Sequence, residues 1–290
     1  MKTCNKLAII LIITIIPISS MCQKSSGGSN TAASVIEQII KHTGAPILPK
    51  TVDVIKEGNP ETRVTGIVTT MFATMEVLKT AVEKKSNLIV VHEPLYYNHL
   101  DETKQFQNDP VFLEKQKYIR EQGLVIWRFH DYIHMMKPDG ISMGMIDKLG
   151  WKKYMEEGSL DRFRLPETTL ENLIKELKTR FPGSSFQVIG KPDLMVSGIA
   201  FDCGAPGSMA HIKDLQDPDI DVVIAGESQQ WETYEYARDA VSQGRNKAVI
   251  FIGHINSEEA GMEYCAKWLK GFVKDIPVAF VESGSSYRTY

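Results

Sequence analysis

The stretches Val64-Thr65-Gly66-Ile67-Val68 and Asn87-Leu88-Ile89-Val90-Val91-His92-Glu93 decide the fold class of this chain. Both recur in the second half, as Val196-Ser197-Gly198-Ile199-Ala200, 132 residues on, and Asp221-Val222-Val223-Ile224-Ala225-Gly226-Glu227, 134 residues on. Short aliphatic runs rich in Val and Ile are typical of strands buried on both faces of a sheet. The sequence therefore predicts an α/β fold with two related lobes that arise from an internal duplication.

Helical patterns separate and follow these runs. Between the first two stretches, Met75, Leu78, Ala81 and Val82 fall at the spacing of a crossover helix. Two further buried strands are predicted at Leu124–Phe129 and Ala248–Ile252, and amphipathic helices at Thr169–Arg180 and Glu258–Val273.

Residues 1–22 have the pattern of a secretory leader. Lys2 and Lys6 flank the start of an apolar run, Leu7–Ile18, which is too short to span a bilayer, and small residues lead to Cys22. Two alternatives are open: cleavage after Cys22, or a loose lipobox in which Cys22 carries a lipid. The protein is thus expected to be exported, either periplasmic or anchored to a membrane by lipidation. A flexible tether at 23–31 precedes two lobes, 32–150 and 151–290, whose C-terminal ligands return to the shared cleft.

Composition excludes several classes of protein. The 290 residues carry 33 Lys and Arg against 36 Asp and Glu, a net charge of −3 that becomes −5 without the two leader lysines. This balance, with no basic stripe, argues against a nucleic-acid partner. Four scattered cysteines are too few for a disulfide scaffold or a Cys-rich zinc module, and Cys203 and Cys265 are interpreted as small buried thiols. Any metal must therefore be held by histidine and carboxylate.

Ionisable residues follow four predicted strands directly. The segments are His92-Glu93-Pro94, His130-Asp131-Tyr132-Ile133-His134, Gly226-Glu227 and His254-Ile255-Asn256-Ser257-Glu258. Open α/β sheets bind ligands at the carboxyl ends of strands, so these side chains are expected at one edge. A mixed set of imidazoles and carboxylates suits Zn, Mn, Fe, Co or Ni. The sequence therefore predicts a metal site, although each histidine taken singly fits a structural role equally.

The segments Asn87–His99, Phe129–His134 with Pro138–Ile141, and Gly253–Met262 resemble the Nif-three-like dinuclear-metal proteins, also called GTP cyclohydrolase type-two homologues. The resemblance extends from about Ala33 to the end of the chain. It implies two similar α/β lobes, a site for two divalent metal ions in the cleft between them, and assembly into a homo-hexamer.

The resemblance implies a ligand set of His92, Glu93, His134, His254 and Glu258. Two positions depart from the commoner pattern: Glu93 stands where a second histidine is usual, and His134 where an Asp is usual. The exchange preserves the number of ligands and their total charge. It leaves open which carboxylate bridges the metals, Glu93 or Glu258, and we expect two ions to be held.

Other polar residues near the site receive supporting roles. Glu227 and Asp131 are candidates for catalytic proton transfer. Residues His130, His99 and Asp101 are candidates to support the ligands, and His99 and Asp101 fit a solvated loop as well. Trp231 is interpreted as packing or as a wall on which a substrate stacks.

Two adjacent cations assist hydrolysis, so the leading hypothesis is a metal-dependent hydrolase of a phosphoester, a nucleotide or an amide-type small molecule. The chain has no Walker-type phosphate loop, which weakens GTP as the substrate. The alternative is a ring protein that binds metal or acts as a scaffold without turnover. For the ring interface, Met143, Met145 and Ile146 are candidates, although they fit a core equally.

Overall fold

The structure, a computed structural model, describes residues 30–289. The predicted leader, Cys22 and the tether up to residue 29 lie outside this range. The helices of the described residues are α1 (Ala32–Thr43), α2 (Met75–Glu83), α3 (Pro110–Glu121), α4 (Asp131–His134), α5 (Gly140–Leu149), α6 (Leu170–Arg180), α7 (Ser208–Gln216), α8 (Glu235–Ser242) and α9 (His254–Phe272). The strands are β1 (Ile55–Glu57), β2 (Ile67–Thr70), β3 (Leu88–Val91), β4 (Val125–Arg128), β5 (Arg162–Thr169), β6 (Gln187–Ile189), β7 (Met195–Asp202), β8 (Val222–Ala225), β9 (Ala248–Phe251) and β10 (Val278–Phe280). Within residues 30–289, none of the helices has the length and apolar character that crossing a membrane requires.

The ten strands form two five-stranded sheets. The first has the order β1-β4-β3-β2-β10, with β1 antiparallel and the other four strands parallel. The second has the order β5-β7-β8-β9-β6, with three parallel central strands and an antiparallel strand at each edge. Helices accompany both sheets, so the α/β fold class is confirmed.

The predicted aliphatic runs are the central strands. Every residue of β2, β3, β4, β8 and β9 is buried, as expected for strands covered on both faces. The crossover helix predicted from Met75 onward is α2, and its N-cap is Thr74, whose side chain accepts a hydrogen bond from the Val77 N–H. The helix predicted from Thr169 is α6, with Thr169 itself as the N-cap.

The two sheets share a core pattern. In each, three parallel strands lie in sequence order, and the pairing of Ile67 with Leu88 corresponds to the pairing of Ile199 with Val222. These pairs stand at the two spacings of the sequence echo. The internal duplication stays a prediction that this similarity motivates.

Helices α5 and α9 pack closely against each other and link the two cores. Gly144 of α5 meets the backbone of α9 at Ala260 and Gly261, and a Cβ there would overlap both. Met145 and Ile146 are buried with residues of the second sheet, whereas Met262 of α9 is buried with residues of the first. The suggestion that Met145 and Ile146 form an exposed subunit interface is therefore wrong, and Met143 packs against the same core.

The C-terminal helix begins earlier than the sequence pattern indicates. The apolar periodicity predicts a start at Glu258, but α9 begins at His254, directly after Gly253. Gly253 has a φ of 90°, which lets the chain turn from β9 into the helix. After α9 the chain adds β10 to the first sheet, so α9 brings its first turn to the strand ends of that sheet.

Candidate metal centre

The structure brings all five sequence-predicted metal ligands together. His254 Nε2 lies 3.1 Å from Glu93 Oε1 and 2.9 Å from Glu258 Oε2. His92 Nε2 lies 3.6 Å from the same oxygen of Glu258, and the rings of His92 and His134 are 5.2 Å apart. The spacing of four between His254 and Glu258 lies on the first turn of α9, so both side chains point the same way.

The donor atoms form two groups that share His92. One contains His92, Glu93 and Glu258, and the other contains His92, His130 and His134; within each group the donor atoms lie within 4.8 Å of one another. We refer to these five residues with His254 as the metal centre. His130 was predicted only as a supporting residue, but its spacing of four from His134 already placed the two rings on one side of a helical turn.

Each histidine of the metal centre has its Nδ1 atom bonded to an oxygen of the chain. The four bonds are His92 to the Phe129 carbonyl at 3.2 Å, His130 to Asp131 at 3.0 Å, His134 to Asp139 at 2.9 Å and His254 to Glu227 at 3.1 Å. Donation from Nδ1 leaves Nε2 without a proton and available to a metal, which is the arrangement that protein metal sites use to orient imidazole ligands. His92 Nε2 is buried without a hydrogen-bond partner, an orphaned acceptor of the kind that a metal ion would satisfy. The residues present therefore fit a bound divalent metal.

Asp53 builds the short helix that carries two of these histidines. Its buried carboxylate accepts hydrogen bonds from the backbone N–H groups of His130, Asp131 and Tyr132, at 2.8 to 2.9 Å. A helix of four residues has little stability of its own. The carboxylate supplies the partners that the first turn of α4 lacks, and so fixes the direction of both rings.

Arg128 is a functional residue that sequence reasoning missed. It is fully buried at the end of β4 and donates to the carbonyl oxygens of His92 and His99, and to Glu93 Oε2 at 3.4 Å. Its guanidinium therefore holds the ligand-bearing segment after β3 and balances the charge of Glu93. The available signal was a cation inside an aliphatic run, where a buried charge requires a partner.

The remaining predicted supporting residues occupy less direct positions. Asp101 accepts the Tyr96 N–H at 2.7 Å and pairs with Lys56 at 3.0 Å, so it fixes the loop after the metal ligands. The His99 side chain is exposed, with its ring 6.0 Å from that of His130. His99 thus contributes its backbone carbonyl to Arg128, as part of a loop.

The two catalytic candidates differ in accessibility. Asp131 bonds His130 through one oxygen and accepts from Thr51 Oγ1 and the Val52 N–H through the other. Its carboxylate is therefore saturated and positions the ring of His130. The side chain of Glu227 is 59% exposed, and its hydrogen bond with His254 lowers its pKa, so it is ionised at neutral pH and open to solvent.

The electrostatics of the metal centre favour a cation. Burial lowers the pKa of His92 to about 4, so that ring is neutral. Burial also acts to raise the pKa of Glu93, but the hydrogen bond and charge of neighbouring imidazoles lower it to about 2. Burial acts to lower the pKa of His254, whereas its hydrogen bonds to Glu227, Glu258 and Glu93 raise it to about 12. In the absence of metal, protonated His254 therefore compensates three carboxylates that would otherwise repel one another.

Small residues let the second sheet approach the metal centre. Gly204 has a φ of +62°, and a Cβ there would overlap the carboxylate of Glu258. Its neighbour Cys203 is partly buried and Cys265 is buried; both are free thiols, and burial raises the pKa of each. This agrees with the interpretation of both as packed thiols.

A cavity of about 630 Å³ lies on the other side of the first turn of α9. Gly253, directly before the metal-centre residue His254, is part of its wall, and Lys148 and Tyr287 line it as well. Its volume is within the range of pockets that hold small molecules.

Two five-stranded α/β sheets with a histidine and carboxylate centre at their strand ends define the class of this protein. A family model described as Duf34/NIF3 (NGG1p interacting factor 3) matches residues 52–286, and the chain belongs to this family. The family resemblance predicted from the sequence is therefore confirmed.

Curated and solved relatives agree with this assignment. The chain is 24% identical over 225 residues to a "GTP cyclohydrolase 1 type 2 homolog" of Clostridium acetobutylicum, covering 74% of this chain and 80% of that protein. A Bacillus cereus protein related to NIF3 has the same fold, with a TM-score of 0.69 and 12% identity over 90% of this chain and 98% of that one. A Staphylococcus aureus protein gives a TM-score of 0.67 at 16% identity over 90% and 99%.

Proposed function

We propose that this protein binds two divalent metal ions in the metal centre and uses them to hydrolyse a small phosphoester, nucleotide or amide-type molecule. The observation that carries the proposal is the shared orientation of the four histidines, each of which bonds an oxygen through Nδ1. Structural histidines have no need of such uniform orientation, whereas metal ligands do.

The number of donors supports two ions. Four imidazoles and the carboxylates of Glu93 and Glu258 make six donor side chains, more than the three or four that one zinc-type ion takes from protein. Either glutamate can bridge two ions, because each carboxylate has two oxygens. Zn, Mn, Fe, Co and Ni all suit this mixture of donors.

When bound, two adjacent cations lower the pKa of water and stabilise the charge that develops on a phosphoryl or acyl oxygen. The chain's own residues supply the rest. Arg128 and Asp53 hold the ligands in place, and Glu227 is the better of the two proton-transfer candidates, since it is ionised and exposed. The cavity beside His254 supplies the space for a small substrate.

The experiment compares the wild-type protein with two histidine variants, each loaded with Zn, Mn, Fe, Co or Ni and screened against phosphomonoesters, phosphodiesters, nucleotides and peptide-like amides. His254→Ala removes a ligand and is expected to lower both metal content and turnover. His42→Ala is the matched control, because His42 is an exposed histidine that stacks on Phe272 far along the chain from the centre. Metal-loaded wild-type protein without turnover on any member of the panel would contradict the hydrolase.

One observation favours a second function, metal binding without catalysis. Asp131 is saturated with hydrogen bonds, and Glu227 already bonds His254. A protein that stores metal or acts as a scaffold needs no free proton acceptor. This alternative predicts that His254→Ala changes metal content or assembly and that no variant affects turnover, because there is none.

The proposal extends to assembly and location. We propose a homo-hexamer, exported to the periplasm or anchored through a lipid on Cys22, with a small-molecule substrate and no nucleic-acid partner. Light scattering of the purified protein tests the hexamer. Intact-mass measurement of the protein from its native membrane fraction separates a lipid-bearing Cys22 from a simply cleaved chain.

A further inference from the structure

Trp231 is exposed to an unusual degree. Its side chain is 75% accessible, whereas Trp127 and Trp151 are buried. An indole left in water forgoes the stabilisation that its burial would supply, so an exposed tryptophan in a structured segment requires another explanation. The interpretation of Trp231 as a packing residue is therefore wrong, and the alternative of a stacking wall is left.

The segment that carries Trp231 is a fixed one. Gln230–Tyr234 forms a single π-helical turn, a rare conformation that is frequent at functional sites. The fully buried Thr233 bonds Ser228 Oγ at 2.8 Å and His211 Nδ1 at 3.2 Å. Ser208 bonds the same Ser228 at 2.9 Å. These hydroxyl bonds hold the turn from its inner side while Trp231 faces solvent.

This turn lies beside the metal centre. Glu227, which holds His254, precedes Trp231 by four residues, so their Cα atoms are at most about 14 Å apart. At the other end of the turn, Tyr234 stacks on Phe251 with ring centroids 4.0 Å apart. Phe251 is the last residue of β9, three residues before His254. Both ends of the turn are thus tied to the strand end that carries a metal ligand.

We propose that Trp231 is a platform on which a flat aromatic or heteroaromatic ring of the substrate stacks while its anionic group reaches the metal centre. This inference rests on the proposed metal-dependent function and adds the substrate class: an anion that bears an aromatic ring. Indole is well suited to the role, because its large π-face binds flat rings and tolerates differences between them.

The experiment measures binding of two anions that differ only in aromaticity, phenyl phosphate and cyclohexyl phosphate, to the full chain loaded with metal. Offset stacking predicts that the wild-type protein binds phenyl phosphate about two- to tenfold more tightly. Trp231→Ala is expected to bring this ratio to about one, and Trp231→Phe to keep part of it. Phenyl phosphate, but not cyclohexyl phosphate, should also protect Trp231 from fluorescence quenching by acrylamide.

Met209→Ala is the matched control, because Met209 is another large apolar side chain that is 75% exposed, and it follows Ser208, which bonds the same turn. Its preference ratio should equal that of the wild type. Equal binding of both anions by metal-loaded wild-type protein overturns the platform and leaves the metal site intact. A smaller assembly for Trp231→Ala than for the wild type would overturn it too, by making Trp231 a subunit contact. Failure to bind metal, measured first on the same samples, would instead refute the proposed function.

Discussion

The two oxygens of Asp139 perform separate tasks, and Asp139→Asn separates them. Oδ1 accepts hydrogen bonds from the N–H groups of Ile141 and Ser142, at 2.8 and 2.9 Å, and so caps α5. Oδ2 accepts the proton of His134 Nδ1 at 2.9 Å. An asparagine keeps one oxygen for the cap and places an NH2 group against His134.

Two donors then face each other, and one side has to yield. Turning the amide around would leave two helix N–H groups without partners, at a cost of about 2 kcal/mol or more. Moving the proton of His134 to Nε2 avoids this cost but removes the lone pair that binds metal. Loss of such an orienting partner weakens metal affinity about 10- to 100-fold, or about 1.4 to 2.7 kcal/mol. We therefore expect Asp139→Asn to keep its stability without metal and to lose affinity by this amount.

The assay is a titration with zinc against a competing chelator, alongside urea unfolding of the metal-free protein. Asp109→Asn is the matched control, because Asp109 caps α3 through the Phe112 N–H at 3.0 Å and has no histidine partner. Asp139→Ala should lose both the affinity and about 1 kcal/mol of the cap. Affinity of Asp139→Asn within twofold of the wild type would refute the role of His134 as an Nε2 ligand.

Three further predictions concern the surroundings of the metal centre. Arg128→Ala removes the cation from a buried network and should lower the free energy of unfolding by about 3 to 5 kcal/mol in urea, whereas the exposed Arg238→Ala should change it by about 0.5 kcal/mol or less. Gly204→Ala and Gly44→Ala both place alanine at a positive φ and should each cost about 1 to 2 kcal/mol, but only the first lowers zinc affinity, since no atom lies within 4 Å of a Cβ at the second. The pKa of His254 is raised to about 12, so metal must displace its proton: calorimetry in buffers of different ionisation enthalpy should show about one proton released per chain at pH 7.5, with affinity rising between pH 6.5 and 8.5, and a pH-independent affinity would contradict this.

The strands and the ligand positions were predictable from local pattern. Runs of Val and Ile indicated the buried strands, and the polar residues directly after them marked one sheet edge. The spacing of four between His254 and Glu258 needed only helical geometry. Such signals lie within a few neighbouring residues, so a single sequence contains them.

The supporting residues were not predictable, because their partners are distant in the chain. Asp53 precedes the helix that it caps by 77 residues or more, and Arg128 reaches the His92 carbonyl across 36 residues. The exposure of Trp231 likewise depends on the whole fold, since a tryptophan in an isolated segment is equally suited to a core. Gly253 ended the strand and started α9 at His254, which the apolar periodicity of that helix could not indicate.

Anomalous scattering from crystals of the wild-type protein, purified without added chelator, tests the central claim most directly. The account predicts two strong metal peaks per chain, both contacted by residues of the metal centre, with His92 Nε2 bonded to one of them. A single peak would contradict the dinuclear site. No peak between these residues, in crystals grown with divalent metal, would contradict the metal centre itself.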